Sequence, residues 1–226
     1  MKLLLENWRK YLAEESQPIK KLRIFDFDET IAYTDSQVRV TLPNGKSKSF
    51  PSQKSWDDFI AKHSERSRGP RKSMEELEAD GYVFDFTDYS KVIDPEENKM
   101  ITKIISDVIN ANKENPEREI YIITARGPEA EESIRKYLRT VGLEPEAFEG
   151  IVGLNGASKR DEINNIISRH TDESGMTSIE SIHFFDDSDK NLEDVKRIRD
   201  EHPEIEDIRI KKVVRGDILS LEETIY

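Results

Sequence analysis

The sequence predicts a three-layer α/β/α fold built on a parallel sheet of about five strands. Three observations carry this expectation. Short apolar, β-prone runs alternate with amphipathic helical patterns. Asp or Thr residues stand where several of those runs end. The 226 residues leave room for one domain, or for one domain with an insertion. Strands that alternate with helices pair in parallel through right-handed crossovers. In such sheets, ligands bind outside the carboxyl ends of the strands.

The elements follow in order. Residues 1–12 read as an amphipathic helix with Leu4, Leu5, Trp8, Tyr11 and Leu12 on one side. The Leu3–Leu5 run is too short for a signal peptide and is broken by Glu6 and Arg9. This segment is expected either to pack on the main domain or to dock another protein. Lys21–Asp26 forms the first strand. Asp94-Pro95 is expected to open a helix, because Asp is a good N-cap and Pro suits the first turn. That helix carries Ile101, Ile104, Ile105, Val108 and Ile109 inward. Glu119–Ile123 is a buried-type strand. Gly127-Pro128 starts a helix with Ile134, Tyr137, Leu138 and Val141 inward, and Gly142 stops it. Gly150–Leu154 is a shorter strand, and Ser158 caps a helix bearing Ile163, Ile166 and Ile167. Ile179–Phe185, Asn191–Arg199 and Ile208–Val214 complete the pattern as strand, helix and strand.

Residues 33–93 interrupt this alternation. Val38–Phe50 reads as a β-hairpin turning at Pro43-Asn44-Gly45. Ser55–His63 suggests a short helix and Tyr82–Phe86 an extra strand. The chain therefore divides into a leading segment (1–20), a core (21–32 and 94–226) and an inserted cap (33–93) expected to lie over the carboxyl edge of the sheet.

Composition narrows the function classes. There is no cysteine, which excludes disulfides and thiolate chemistry and suggests a reducing, cytoplasmic setting. No apolar run is long enough to span a bilayer. A formal net charge of −12 argues against sequence-independent binding to a long duplex. The charge is uneven. Arg39 to Lys72 holds nine Lys or Arg against three acids, so the insertion is basic and the remainder strongly acidic.

The most informative stretch is Ile24-Phe25-Asp26-Phe27-Asp28-Glu29-Thr30. Two acids two residues apart at the end of a strand can gather around one point. Oxygen ligands of this kind suit a hard cation such as Mg²⁺. Thr124, Lys159 and the Asp186-Asp187 pair follow in order, the Thr and the acid pair each at the end of an apolar run. Two acids directly after Ile182-His183-Phe184-Phe185 are costly to bury without a cation. Lys159 falls in the first turn of its helix, where free backbone N–H groups favour phosphate. His183 alternates with apolar neighbours and reads as a core residue rather than a ligand.

Taken together, Asp26-Phe27-Asp28-Glu29-Thr30, Ile123-Thr124-Ala125-Arg126, Lys159 and Phe185-Asp186-Asp187-Ser188-Asp189-Lys190-Asn191 resemble the four motifs of the haloacid dehalogenase (HAD) superfamily. The resemblance spans about residues 20–214, apart from the insertion, and implies a Rossmann-like core. It implies a phosphohydrolase in which Asp26 attacks phosphorus and becomes an aspartyl-phosphate. Asp28 would protonate the leaving oxygen and then deprotonate the hydrolytic water. Mg²⁺ would be held by Asp26, Asp186 and the backbone carbonyl of Asp28. Thr124 and Lys159 would hold the phosphoryl oxygens, with Arg126 either reaching substrate or pairing with an acid. Asp187 would support the metal or orient Lys159. Thr30 and Asn191 would be supporting, with Asn191 either capping its helix or fixing the acidic loop. The second aspartate, Asp28, tilts the reading toward phosphate esters and away from dehalogenation.

The resemblance also implies that the insertion screens the site. Its basic charge suggests an anionic substrate: a phosphorylated small molecule such as a nucleotide, or the phosphorylated end of a nucleic acid. The alternatives are a phosphotransferase or mutase, a phospho-accepting signalling domain, and a binding module that has lost activity.

Overall fold

A computed structural model describes residues 18–51, 53–65, 71–215 and 217–220. The amphipathic reading of residues 1–12, and Arg66 and Arg68 of the basic stretch, lie outside the described residues.

The central sheet opens with β1 (Lys21–Phe25). β7 (Arg118–Thr124) and β8 (Gly150–Gly153) extend the sheet on one side. β9 (Ser181–Asp186), β10 (Asp207–Val214) and β11 (Asp217–Ser220) extend it on the other. The strand order is β11-β10-β9-β1-β7-β8. The β10–β9–β1–β7–β8 pairings are all parallel, and β11 is antiparallel to β10. The expected parallel sheet is therefore present, with an edge strand that the sequence reading missed. β11 is four residues long with only Ile218 and Leu219 apolar, too short to show a period.

Helices cover both faces. α3 (Lys99–Glu114) and α4 (Glu131–Thr140) pack Ile101, Ile105, Ile134 and Leu138 against Phe25, Phe27 and Ile122. α5 (Lys159–Arg169) and α6 (Asp189–Lys196) pack Ile163, Ile167, Leu192 and Val195 against Leu22, Ile24 and Phe184. α7 (Ile198–Glu201) adds Ile198 to the second face. Leu22 and Ile24 point one way and Phe25 the other, as a strand buried on both faces requires.

The insertion has its own small core. β3 (Val38–Thr41) and β4 (Ser47–Phe50) form the expected hairpin, and β5 (Val83–Asp85) pairs with the far edge of β3. Gly45 takes φ +79° at the turn, a conformation that glycine adopts without cost. α1 (Gln53–His63) lays Trp56 and Phe59 against Phe50, Phe84 and Val40. α2 (Met74–Ala79) is closed by a Ser73–Glu76 capping box.

The insertion departs and returns through a two-stranded ribbon, β2 (Ala32–Tyr33) paired antiparallel with β6 (Glu96–Glu97). This ribbon corrects one expectation. Asp94-Pro95 does not open the helix: Asp94 sits at φ +41°, the chain pairs with Ala32 and Tyr33, and α3 begins only at Lys99. Long-range pairing that ties the two necks together outweighs the local Asp-Pro signal. No helix among the described residues is long and apolar enough to cross a membrane.

Candidate active site

The chain reverses direction across the sheet between β1 and β9: it runs from β1 to β7 and β8 on one side, then returns to β9 and β10 on the other. Such a switch point leaves a crevice at the strand ends. Asp26 is the first residue after β1, and its N–H donates to the Phe185 carbonyl at 2.8 Å. That bond extends the ladder and sets Asp26 beside Asp186. One carboxylate oxygen from each of Asp26, Asp186 and Asp187 falls within a mutual 4.8 Å.

Lys159 bridges two of these acids. It is the first residue of α5, whose N-cap is Ser158, with the Ser158 Oγ accepting from the Asp161 N–H. Its Nζ donates to Asp26 Oδ1 at 2.6 Å and to Asp186 Oδ2 at 2.7 Å. Burial opposes the ammonium charge, but Asp186 and Asp26 outweigh it and hold the Lys159 pKa above its usual value. Asp186 is fully buried and also accepts from the Ser188 N–H and from Asn191 Nδ2. Asn191 thus fixes the acidic loop from within α6. The N-cap position belongs to Ser188, so the capping alternative for Asn191 does not hold. Likewise it is Asp186, and not Asp187, that engages Lys159.

The charge in this crevice is unbalanced. Three carboxylates face one ammonium. Burial, reinforced by the other acids, pushes the carboxyl of Asp26 up to about 7 and that of Asp187 up to about 8. Asp187 accepts no hydrogen bond from any described residue. A group of three hard oxygen donors carrying surplus negative charge fits a divalent cation such as Mg²⁺. This makes Asp187 a candidate ligand in its own right, where the sequence reading gave it only a supporting place.

Thr124 ends β7, is buried, and lines the same cavity as Asp26, Asp28 and Lys159. Thr30 is also buried. Its carbonyl accepts from Asn98 Nδ2, while its hydroxyl has no partner among the described residues. Glu29, between Asp28 and Thr30 in the chain, takes φ +58°, a left-handed conformation that a non-glycine residue adopts at some cost. His183 lies within β9 against Asp207 Oδ2, away from these acids along the sheet. Burial and the nearby Arg23 push its pKa down to about 4.

Arg126 is where the geometry says most beyond the sequence. Its side chain is fully buried. Nε and Nη2 fork onto the two oxygens of Asp28, both at 2.7 Å. Nη2 also reaches Thr34 Oγ1 and Ser36 Oγ, and Nη1 donates to the carbonyls of Tyr89 and Lys91. The rings of Phe27 and Tyr89 flank the guanidinium at 5.4 and 5.1 Å. Every N–H of Arg126 is engaged within the protein, so the pairing alternative describes this arrangement and substrate contact does not. Arg126 ties both arms of the insertion to the second acid of the first motif. Thr34, Ser36 and Tyr89 were not foreseen. Thr34 and Ser36 both accept from Arg126 Nη2, and the two hydroxyls two residues apart were the available signal.

The loop carrying Arg126 is held from below by glycine. A Cβ on Gly153 would lie 2.4 Å from both the carbonyl carbon and the oxygen of Gly127. Both are backbone atoms and cannot rotate away. Gly153→Ala should therefore cost about 1–3 kcal/mol and loosen the Arg126–Asp28 pair, measurable as a lower urea midpoint with an unchanged slope.

No family model and no curated protein sequence matches the chain. Among solved structures it is similar to the HAD domain of effector protein Lem4 from Legionella pneumophila, at 14% identity over 88% of each chain with a TM-score of 0.47. It is also similar to the Legionella pneumophila effector Ceg4, at 16% identity over 89% of this chain and 90% of that one, TM-score 0.46. A third is the class C acid phosphatase from Bacillus anthracis with tungstate bound, at 15% identity over 89% and 69%, TM-score 0.37. At such identities the likeness concerns the path of the chain, and the residues of the site speak only for themselves. On its strand order, its insertion after β1 and its acids at the β1 and β9 ends, the chain has a HAD-like α/β fold.

Proposed function

We propose that this protein is a divalent-metal-dependent phosphatase that hydrolyses phosphate monoesters through an aspartyl-phosphate on Asp26. One observation carries the reading: Asp26, Asp186, Asp187 and Lys159 converge at the carboxyl ends of β1 and β9 in a buried crevice. A carboxylate is a poor nucleophile toward an anionic phosphate unless positive charge stands beside it. Lys159 supplies part of that charge. Mg²⁺, held by Asp26, Asp186 and Asp187, with the Asp28 carbonyl as a further donor implied by the motif resemblance, would supply the rest.

An Asp26 oxygen forms a bond to phosphorus, and the bond from phosphorus to the ester oxygen breaks. Asp28 gives its proton to that leaving oxygen. It then takes a proton from the water that attacks phosphorus and frees Asp26 and inorganic phosphate. Lys159 and Thr124 hold the phosphoryl oxygens. Both Asp28 oxygens accept from Arg126, so Asp28 can hand over a proton only when that fork loosens. The acid step is therefore coupled to movement at the base of the insertion.

Acetyl phosphate and an aryl phosphate, assayed with Mg²⁺ and with a chelator, test the reading. Turnover should require the metal. Turnover that persists in chelator would remove the metal from the scheme. An added acceptor alcohol separates hydrolysis from phosphoryl transfer: hydrolysis releases inorganic phosphate and leaves no new ester.

The folded carboxyls of Asp26 and Asp187 titrate above the ordinary value near 4. The unfolded chain therefore binds fewer protons between about pH 4 and 8, and the cation-free protein loses stability as pH rises through that window. A cation that binds the ionised carboxylates reverses this. Adding Mg²⁺ should raise Tm more at pH 8 than at pH 6, with each kcal/mol worth about 2–4 °C at this chain length. An equal shift at both values would contradict it.

A further inference from the structure

Beside the crevice lies a second cavity of about 460 Å³ between the insertion and the core, within the range that holds a small organic ligand. Tyr89, Ala125, Gly156 and Lys190 line both cavities, so the second opens directly onto the first. One wall is apolar and aromatic. Trp56, Ile60, Met74 and Phe86 come from the insertion. Phe86 is 43% exposed, although it packs edge-on to Trp56 with ring centroids 5.6 Å apart. An exposed aromatic ring beside a site is a surface on which another ring can stack.

The opposite wall is polar. The Asn155 N–H donates to the Arg126 carbonyl, and that pairing carries Asn155 to the rim at φ +49°. The Asn155 and Glu129 side chains come together on the open side of Gly127. A Cβ there would meet Glu129 Oε2 at 2.2 Å and Asn155 Oδ1 at 2.5 Å. Neither side chain has a hydrogen-bond partner among the described residues. Lys190, at the seam of the two cavities, has none either. Among the described residues the cavity thus offers a stacking surface, an unpaired carboxylate and amide, and a free ammonium on the side of the phosphate.

Resting on the phosphatase reading, we propose that this cavity receives the leaving group and that the substrate is a nucleoside monophosphate. A flat, uncharged base matches the Trp56–Phe86 wall. Sugar hydroxyls and exocyclic amines supply the donors that Glu129 and Asn155 lack. Lys190 meets the ester phosphate as it enters toward Lys159. The same carboxylate selects against longer anions, because a second phosphate in the cavity would meet Glu129. This favours a mononucleotide over the phosphorylated end of a nucleic acid.

The test compares kcat/KM, with Mg²⁺, for nucleoside 5′- and 3′-monophosphates, a phosphate-ended oligonucleotide, glycerol phosphate, O-phosphotyrosine and acetyl phosphate. Nucleoside monophosphates should exceed glycerol phosphate by at least about tenfold, through KM, the value of one aromatic stacking contact. Phe86→Ala should raise KM for the nucleotide about tenfold and leave acetyl phosphate unchanged, while Phe86→Tyr, which keeps the ring, should restore the parental KM. Glu129→Gln should narrow the gap between nucleoside mono- and diphosphates. If acetyl phosphate is turned over but nucleotides are no better than glycerol phosphate, the inference fails and the phosphatase reading stands. The same holds if O-phosphotyrosine or the oligonucleotide is preferred, or if Phe86→Ala slows acetyl phosphate equally. If no phosphate compound is turned over, the phosphatase reading itself falls and takes the inference with it.

Discussion

Asp26→Asn should reduce turnover of every phosphate ester by more than about 10³-fold while leaving the fold intact. The substitution is isosteric, and the Asn oxygen can still accept from Lys159 as Asp26 Oδ1 does at 2.6 Å. What it removes is the nucleophile and one of three crowded negative charges. Those charges are a stability liability without a cation, as the raised pKa values of Asp26 and Asp187 indicate. The cation-free variant should therefore melt no lower than the parent. Stability gained where activity is lost is common at sites that hold like charges together. Mg²⁺ should also bind more weakly, because a ligand has lost its charge. Paired measurements of steady-state turnover and thermal unfolding, with and without Mg²⁺, check all three outcomes. Parental turnover in the variant would dispose of the aspartyl-phosphate scheme whatever the stability shows.

The largest loss of stability is expected at Arg126. Its guanidinium is fully buried and donates to Asp28, Thr34, Ser36 and two backbone carbonyls. Arg126→Met would fill much of the space but leave the Asp28 carboxylate with Thr34 Oγ1 and the Lys91 carbonyl with Ser36 Oγ as their remaining donors among the described residues, and would strand the carbonyl of Tyr89. Removing one partner of a buried ion pair costs about 3–5 kcal/mol, and with the Asp28 side chain 26% exposed the lower end of that range applies. At about 2–4 °C per kcal/mol, the melting temperature should fall by about six degrees or more. Arg126→Lys keeps the charge but loses the planar fork that meets two oxygens at once, so it should fall between the two. This residue and the β2–β6 ribbon both fasten the insertion to the core. Amide exchange should thus rise in residues 34–36 and 87–91 before it rises in β1 or β9. A Met variant as stable as the parent would mean that the insertion is held by other contacts.

The core was legible in the sequence because its signals are local. Leu22 to Phe27, Glu119 to Ile123 and Ile179 to Phe185 are apolar runs of strand length. The helices between them repeat apolar residues at helical spacing, and Ser158 and Gly142 punctuate them as expected. The errors fall where local and distant interactions compete. Asp94-Pro95 obeys the rule for a helix start, yet pairing of Glu96 and Glu97 with Ala32 and Tyr33 keeps the chain extended there. β11 has too few residues for a pattern, and forms only because β10 offers an edge.

The same division applies to the site. By itself the sequence determined that Asp26, Thr124 and Asp186 end strands, and parallel strands must bring their carboxyl ends to one side of the sheet. It could not determine partners. Whether Lys159 reaches Asp186 or Asp187, whether Arg126 faces a ligand or an acid, and whether Asn191 caps a helix or grips a carboxylate are questions of a few ångströms. So is the meeting of Trp56 and Phe86 with Glu129 and Asn155 across the seam between insertion and core. Residues far apart in the chain meet at distances set by packing, and only the tertiary structure fixes that packing.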